Sequence, residues 1–254
     1  MDWKTRVMKR ALDVGIASVG LAVTAPLFPV LAAAVKLTSK GPVFYSQRRC
    51  AAERRAGIEQ SRPPVAERRH ERGLHTFQMY KFRTMRTDAE SRTGAVLAQK
   101  NDPRLTPIGG LLRKTRLDEL PQLMHVLRGE MSIVGPRPER PELMMKLAEQ
   151  IPFFEERMRL IKPGITGLAQ ISLNYDGSFD RTREQNAALE QFLSGIDLPD
   201  DALKGVGGSR QAFANKLLFD FAYSAILENP IESLKTDLEV ILKTPLVMLK
   251  AKGQ

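Results

Sequence analysis

The sequence predicts an α+β protein, mostly helical with one small β-sheet. Its N-terminal helix hairpin is broken by proline and re-enters a membrane, and other helices lie along the membrane face. Three observations carry this. No charged residue occurs from 14 to 35, yet Pro26 and Pro29 interrupt the run. Two short segments, near 43–47 and 76–83, alternate as half-buried strands do. Elsewhere apolar residues recur at helical spacing, as in Leu117, Leu120, Leu123, Met124 and Leu127.

The hairpin comes first. A run of about 20 apolar residues is the usual threshold for a membrane span. This one has Arg6, Lys9 and Arg10 before it and Lys36 and Lys40 after. It is long for a signal-peptide core and lacks a small-x-small cleavage site followed by a polar start. Proline removes a backbone donor and clashes with the preceding turn, so the run divides into halves of about 10–12 residues. Each half is roughly 15–18 Å long, too short for a hydrocarbon core about 30 Å thick. Basic flanks on both sides favour keeping both ends in the cytoplasm. A hairpin over 1–40 that dips into one leaflet is therefore expected, its freed backbone satisfied by Thr24, neighbouring protein or water. A kinked full span stays open, because spanning helices tolerate proline.

The formal net charge of +10 implies an anionic partner, such as inner-leaflet lipid or a phosphorylated substrate. A nucleic-acid partner is not expected: it would explain the charge and leave the apolar hairpin unexplained. The single cysteine, Cys50, excludes an internal disulfide, and His70, His75 and His125 have no zinc spacing.

After a Gly41-Pro42 turn, Val43 to Gln47 reads as a first strand. The charged stretch 51–73, with Pro63-Pro64, reads as a solvated insert. Residues 76–83 read as a second strand able to pair with the first. Strict alternation there puts Lys81 and Arg83 on one face and Phe82 on the other. Turn chemistry follows at Asn101-Asp-Pro-Arg and Thr106-Pro-Ile-Gly-Gly. Lys162-Pro-Gly-Ile-Thr-Gly-Leu-Ala-Gln reads as a tight turn whose glycines allow close backbone approach to a ligand. Residues 194–210 form a Gly-rich polar loop. A helical pattern over 211–250 is split at Asn229-Pro230, and its last part packs on the core or lies amphipathically on a membrane.

The window 115–138 carries the chemistry. Asp118 and Glu119 stand beside Arg113, Lys114 and Arg116, and Gly135-Pro-Arg137-Pro138 closes the segment. Carboxylates hold metals or attack electrophiles, and arginines hold phosphates. Pro121 fits only the first turn of the following helix, so the acidic pair sits near that helix's positive end. Thr115-x-x-Asp118 is equally a capping-box-like pattern, and spacing alone leaves capping and catalysis level.

Together these residues resemble the bacterial sugar transferases, the monotopic polyprenyl-phosphate phosphoglycosyl transferases. The matching pieces, in order, begin with Lys9-Arg-Ala-Leu-Asp13 ahead of the broken hairpin, Gly41-Pro-Val-Phe with Gln47-Arg-Arg, and Tyr80-Lys-Phe-Arg-Thr-Met. Leu117-Asp-Glu-Leu-Pro-Gln-Leu, Val134-Gly-Pro-Arg-Pro, Pro163-Gly-Ile-Thr-Gly-Leu-Ala-Gln and, more loosely, Asp237-Leu-Glu-Val-Ile-Leu-Lys-Thr follow. The resemblance implies an undecaprenyl-phosphate sugar phosphotransferase at the cytoplasmic face of the bacterial inner membrane. It would move a sugar 1-phosphate from a nucleotide sugar, usually a UDP-sugar, to polyprenyl phosphate, at the start of exopolysaccharide or glycoconjugate synthesis.

The resemblance also implies roles. Asp118 would be the nucleophile of a covalent phosphosugar intermediate and Glu119 the ligand of Mg²⁺. Lys81, Arg83, Arg113, Arg137 and Pro138 would form the phosphate-binding surround, and Thr24, Pro26 and Pro29 the membrane break. The anchor would be 1–40 and the catalytic domain 41–254, the minimal catalytic form, with a homodimer admitted. Two departures stand out: the 51–73 insert replaces a short Gly-containing connection, and Ile171-Ser-Leu-Asn-Tyr replaces a Val-Asn-Gly-Arg continuation, losing its arginine. The alternative reading is a membrane-anchored scaffold of the same fold without catalysis.

Overall fold

The computed structural model describes residues 1–52, 75–89, 102–151, 153–158, 161–173 and 210–249. Most of the 51–73 insert, all but the last residue of the 194–210 loop, and the Asn174-Tyr175 departure lie outside the described residues.

Helix α1 (Trp3–Thr24) starts where Asp2 accepts from the Trp3 amide at 2.6 Å. It is patterned inside out. Thr5, Lys9, Asp13 and Ala17, spaced four apart on one face, are buried, while Val7, Val14, Val19 and Val23 are exposed, Val23 at 72 %. Helix α2 (Leu27–Thr38) follows after a 62° bend. Among the described residues no single helix is long and apolar enough to cross a membrane; α1 and α2 taken together are.

The break differs from expectation in two respects. Pro26 caps α2 at the bend, but Pro29 lies inside the first turn of α2, where its missing donor costs nothing. The first half is also longer than expected, because the helix continues back through the basic flank to Trp3. Thr24 Oγ1 donates to the Gly20 carbonyl at 2.7 Å, back along its own helix.

Strands β1 (Phe44–Cys50) and β2 (Thr76–Phe82) pair antiparallel, with Tyr45 opposite Lys81 and Gln47 opposite Met79. A second sheet was not foreseen: β3 (Ser132–Val134) runs parallel to β4 (Gly164–Thr166). It explains the glycines of the 162–170 segment. A Cβ on Gly164 would collide with the Gly135 backbone, and one on Gly135 with the Lys162 carbonyl. The close approach these glycines allow is between two segments of the chain itself.

Short helices α3 (Gly109–Lys114) and α4 (Gln122–Arg128) flank a single 3₁₀ turn at Leu117–Glu119. Helix α5 (Pro141–Gln150) and a 3₁₀ segment (Phe154–Met158) lead toward β4 and α6 (Leu168–Ser172). Helices α7 (Arg210–Ile226) and α8 (Pro230–Leu249) separate where Asn229 Oδ1 accepts from the Ile231 amide at 3.0 Å. The protein is mostly helical with small sheets, in agreement with the α+β expectation.

The main core gathers Ala17 of α1, Met79 of β2, Val126 of α4, Ile133 of β3, and Tyr223 and Val240 of α7 and α8. A second cluster joins Leu147, Phe154 and Leu217; a third joins Val35, Phe82 and Leu112. Helix α8 packs on the core through Val240, which is buried, while Leu242 is 73 % exposed.

Polar contacts lock α1 into this body. Lys9 Nζ donates to Val134 O at 2.8 Å, Tyr223 Oη at 2.7 Å and Asp237 Oδ2 at 2.8 Å. Asp13 Oδ1 accepts from Ser132 Oγ at 2.9 Å and the Ile133 amide at 2.8 Å. Arg10 donates to the carbonyls of Val126 and Leu127 in the last turn of α4. Lys9 and Arg10 thus bond within the protein, where the sequence reading used them as flanking charges that keep both ends of the hairpin on the cytoplasmic side.

Candidate active site

The site is built where the 3₁₀ turn, β2 and the loop after β3 converge. Arg116 enters the turn at φ 58° and ψ 14°, a left-handed conformation that is unfavourable for a residue with a Cβ. That reversal turns Asp118 and Glu119 inward: they are 5 % and 6 % exposed. In a 3₁₀ turn consecutive side chains diverge by about 120°, and the two carboxylates meet different surroundings.

Glu119 is surrounded by cations. Lys81 Nζ donates to its Oε1 at 2.6 Å, Arg137 donates to the same oxygen at 3.2 Å, and Arg116 stands 3.5 Å from it. Burial alone would raise the Glu119 pKa, but Lys81, then Arg137 and Arg116, hold it well below the usual carboxylate range. In return Glu119 raises the pKa of Arg137. All three of these contacts fall on Oε1.

Asp118 is the opposite case. Its Oδ1 is buried and has no hydrogen-bond partner among the described residues. Burial, and then the neighbouring Glu119 charge, raise its pKa to about 6, while Lys81, Arg116 and Arg113 pull it down. A carboxylate oxygen without a donor keeps a more available electron pair than one that is hydrogen-bonded.

The capping alternative does not survive this geometry. The 3₁₀ turn has no side-chain cap, and Thr115 Oγ1 donates backwards to the Leu111 carbonyl at 2.8 Å.

The supporting residues are themselves held. His125 Nε2 accepts from the Tyr80 amide at 3.1 Å, next to Lys81, so its Nδ1 carries the proton donated to Glu130 at 2.6 Å. Arg157, fully buried, donates to the Arg137 carbonyl at 3.2 Å and to Asp220 at 2.7 Å. Arg49 donates to the Pro138 carbonyl at 3.0 Å. The Gly135–Pro138 loop is therefore fixed through its backbone, which frees the Arg137 side chain to reach Glu119.

Of the residues expected from sequence, Lys81, Asp118, Glu119 and Arg137 come together, and Pro138 lines the cleft beside Lys81 and Arg137. Arg113 donates to Thr84 Oγ1 at 3.0 Å and acts on Asp118 through its charge. Arg83 is elsewhere. It is buried and donates to the Ser39 carbonyl at 2.8 Å and the Lys40 carbonyl at 2.6 Å, behind the end of α2. The alternation that paired it with Lys81 stops when β2 ends at Phe82. Thr24, Pro26 and Pro29 all sit at or beside the α1–α2 bend.

No group of three or more His, Cys, Asp or Glu side chains able to hold a metal occurs among the described residues. The ionised Glu119 carboxylate nonetheless suits Mg²⁺, which typically takes one or two carboxylates and completes its shell with water and substrate phosphates. Sequence reasoning gave no role to Arg49 and Gln122, which line the same site, and named Arg116 only as one of the neighbouring cations.

The sequence profile of the family described as "Bacterial sugar transferase" matches residues 4–194, a span that includes every one of these site residues. The chain belongs to the bacterial sugar transferase family. It is 36 % identical over 176 residues to the UDP-N-acetylgalactosamine-undecaprenyl-phosphate N-acetylgalactosaminephosphotransferase of Aeromonas hydrophila, covering 69 % of this chain and 36 % of that protein. It is 37 % identical over 190 residues to the exopolysaccharide production protein PSS of Rhizobium leguminosarum bv. phaseoli, covering 74 % of this chain and 84 % of that one. It is 39 % identical over 190 residues to the UDP-glucose:undecaprenyl-phosphate glucose-1-phosphate transferase of Xanthomonas campestris pv. campestris, covering 75 % and 35 %. The chain thus spans most of one of these relatives and about a third of the other two.

Proposed function

We propose that this protein is a phosphoglycosyl transferase. In this reading it moves a sugar 1-phosphate from a nucleotide diphosphate sugar, a UDP-sugar by likeness to its relatives, to undecaprenyl phosphate, initiating exopolysaccharide or glycoconjugate synthesis. The observation that carries the reading is the asymmetry of the acidic pair: Glu119 is ionised among three cations, while Asp118 keeps a buried oxygen without a donor.

The reaction has two displacements. Asp118 attacks the sugar-bearing phosphorus, the bond from that phosphorus to the bridging oxygen breaks, and the nucleoside monophosphate leaves with the electron pair. An oxygen of the polyprenyl phosphate then attacks the same phosphorus, and the electron pair of the breaking acyl-phosphate bond returns to Asp118. A carboxylate nucleophile divides one hard transfer into two easier ones. Lys81 and Arg137 hold Glu119 ionised and face the charge that develops on the phosphates. Arg113 adds positive potential at Asp118. Glu119 would hold Mg²⁺, which when bound neutralises charge on the diphosphate.

The bent pair α1–α2 is assigned to the cytoplasmic face of the inner membrane as a hairpin entering one leaflet. The exposed valines on α1 and the exposed Leu242 of α8 support that placement. The test is a donor labelled in its sugar. Wild-type protein without acceptor should retain label after denaturation and release UMP, and chelation of Mg²⁺ should suppress both. Asp118→Asn should lose label and transfer while keeping normal expression and membrane association. Wild-type turnover in Asp118→Asn would remove the nucleophile assignment.

A further inference from the structure

Among the described residues, the largest side chain that is buried completely carries a charge. It is Arg157, in the 3₁₀ segment Phe154–Met158. It lies outside the cleft lined by Lys81, Arg137 and Pro138. Its guanidinium ties helix α7 to the loop after β3. Nε donates to Asp220 at 2.7 Å, Nη1 to Glu139 at 3.4 Å and Nη2 to the Arg137 carbonyl at 3.2 Å. Lys216, one turn before Asp220 on α7, also pairs with Glu139, and the guanidinium lies over the Phe154 ring at 4.9 Å.

Stability does not account for such a group. Taking charges out of water is costly, and apolar residues of similar volume in place of a buried ion pair are often neutral or stabilising. The segment's own Phe154 and Met158 already join an apolar cluster with Leu147 and Leu217, a neighbourhood suited to one more apolar side chain. What the charge supplies is placement. The carbonyls of Pro136, Arg137, Pro138 and Glu139 all accept hydrogen bonds: from the Gly164 amide at 2.9 Å, from Arg157, from Arg49 at 3.0 Å and from the Cys50 amide at 2.9 Å. Four consecutive carbonyls are thus held from β4, the 3₁₀ segment and β1, and Arg157 ties the second of them onward to α7. From this fixed backbone the Arg137 side chain donates to Glu119 at 3.2 Å. We infer that Arg157 is a positioning residue for Arg137, and that through Asp220 it makes the seat of α7 a condition for the Arg137–Glu119 contact. Its effect on turnover rests on the reaction proposed above; the placement itself does not.

The experiment separates placement from stability. Arg157→Met combined with Asp220→Leu removes both charges, keeps the volume and leaves Glu139 paired with Lys216. In the full-length chain in detergent, the double variant should melt at or above the wild-type temperature. Its rate of UMP release should nevertheless fall by up to about 100-fold, as for a catalytic group misplaced by about 1 Å. In an Arg137→Ala background the same two changes should cause no further loss of the residual rate, because no side chain is left to place. Full activity, or an equal loss with and without the Arg137 side chain, would overturn the positioning role. Should the double variant fail to fold, Arg157→Lys decides by the same comparison, since it keeps the charge and removes the fork that reaches the Arg137 carbonyl. A further arm needs no turnover. Glu119→Gln should lower the melting temperature less in the Arg157 variant than in wild type, because Arg137 is no longer held against it; strictly additive shifts would overturn the inference. A wild-type chain that releases no UMP would remove the proposed reaction and leave this last arm to decide the placement.

Discussion

The most discriminating prediction concerns pH. Asp118 attacks only as the carboxylate, and its pKa is raised from 3.8 to about 6, first by burial and then by the charge of Glu119. A rise of roughly two units corresponds to about 3 kcal/mol against the ionised form. The ionised fraction is then about nine in ten at pH 7 and about one in ten at pH 5. Glu119 stays ionised across this window, because Lys81, Arg137 and Arg116 hold it far lower. The assay must exclude the acceptor, since the second ionisation of a phosphate monoester also lies near about pH 6. Initial rates of UMP release at low donor concentration, without polyprenyl phosphate, report the first displacement alone. The second-order rate constant of this single turnover should fall tenfold per pH unit below about 6, because each unit removes nine-tenths of the remaining carboxylate. A rate that holds level down to pH 4.5 would refute the environment assigned to Asp118.

Three further outcomes follow from the packing. A folded-state pKa above the unfolded one means that the native state gains from protonation, so Asp118 contributes less stability as pH rises from about 4 through 6. Asp118→Asn, though inactive, should therefore raise the melting temperature at pH 7.5, by at most about 3 kcal/mol of stability; an unchanged or lower melting temperature counts against it. Lys9→Met strands Asp237, 2 % exposed, with Tyr223 as its remaining partner, and should cost about 3–5 kcal/mol in a thermal melt. The double substitution with Asp237→Leu should recover much of that loss, and no recovery would mean the pair is not the cause. Arg83→Lys should lower stability through its lost contacts to Ser39 and Lys40 while leaving the donor KM unchanged; a raised KM would return Arg83 to the substrate site.

How much was legible depended on length and on partners. Strands β1 and β2 could be read because seven residues each give alternation room to appear. Strands β3 and β4 have three residues each and are held by glycine-permitted approach between distant segments, which no local pattern announces. The acidic pair was visible as composition, yet only tertiary structure distinguished a cap from a pair in opposite electrostatic states. Arg83 misled because alternation was carried one residue past the end of its strand. Arg49 lay within Gln47-Arg-Arg, and Gln122 directly after Pro121, but nothing in their spacing said that they would line the site. The Lys9–Asp13 spacing of four was the clearest missed signal. Two opposite charges on one face of a helix entering an apolar run point to a protein partner as much as to a headgroup.

That stripe has a mechanical meaning. Lys9 and Asp13 fasten α1 to the strand that leads directly into Gly135-Pro-Arg137-Pro138, so the helix hairpin and the loop that carries Arg137 share one rigid frame. From Asp13 to the bend at Ala25 the helix rises about 18 Å. Under the proposed membrane placement, that length sets the height at which Asp118 stands above the leaflet, and the helix phase sets the direction it faces. One residue inserted between them would lift the site about 1.5 Å and swing it about 100°. A lipid-linked phosphate cannot leave the headgroup plane, so the reach of the enzyme is written into the number of residues between a buried lysine and a proline.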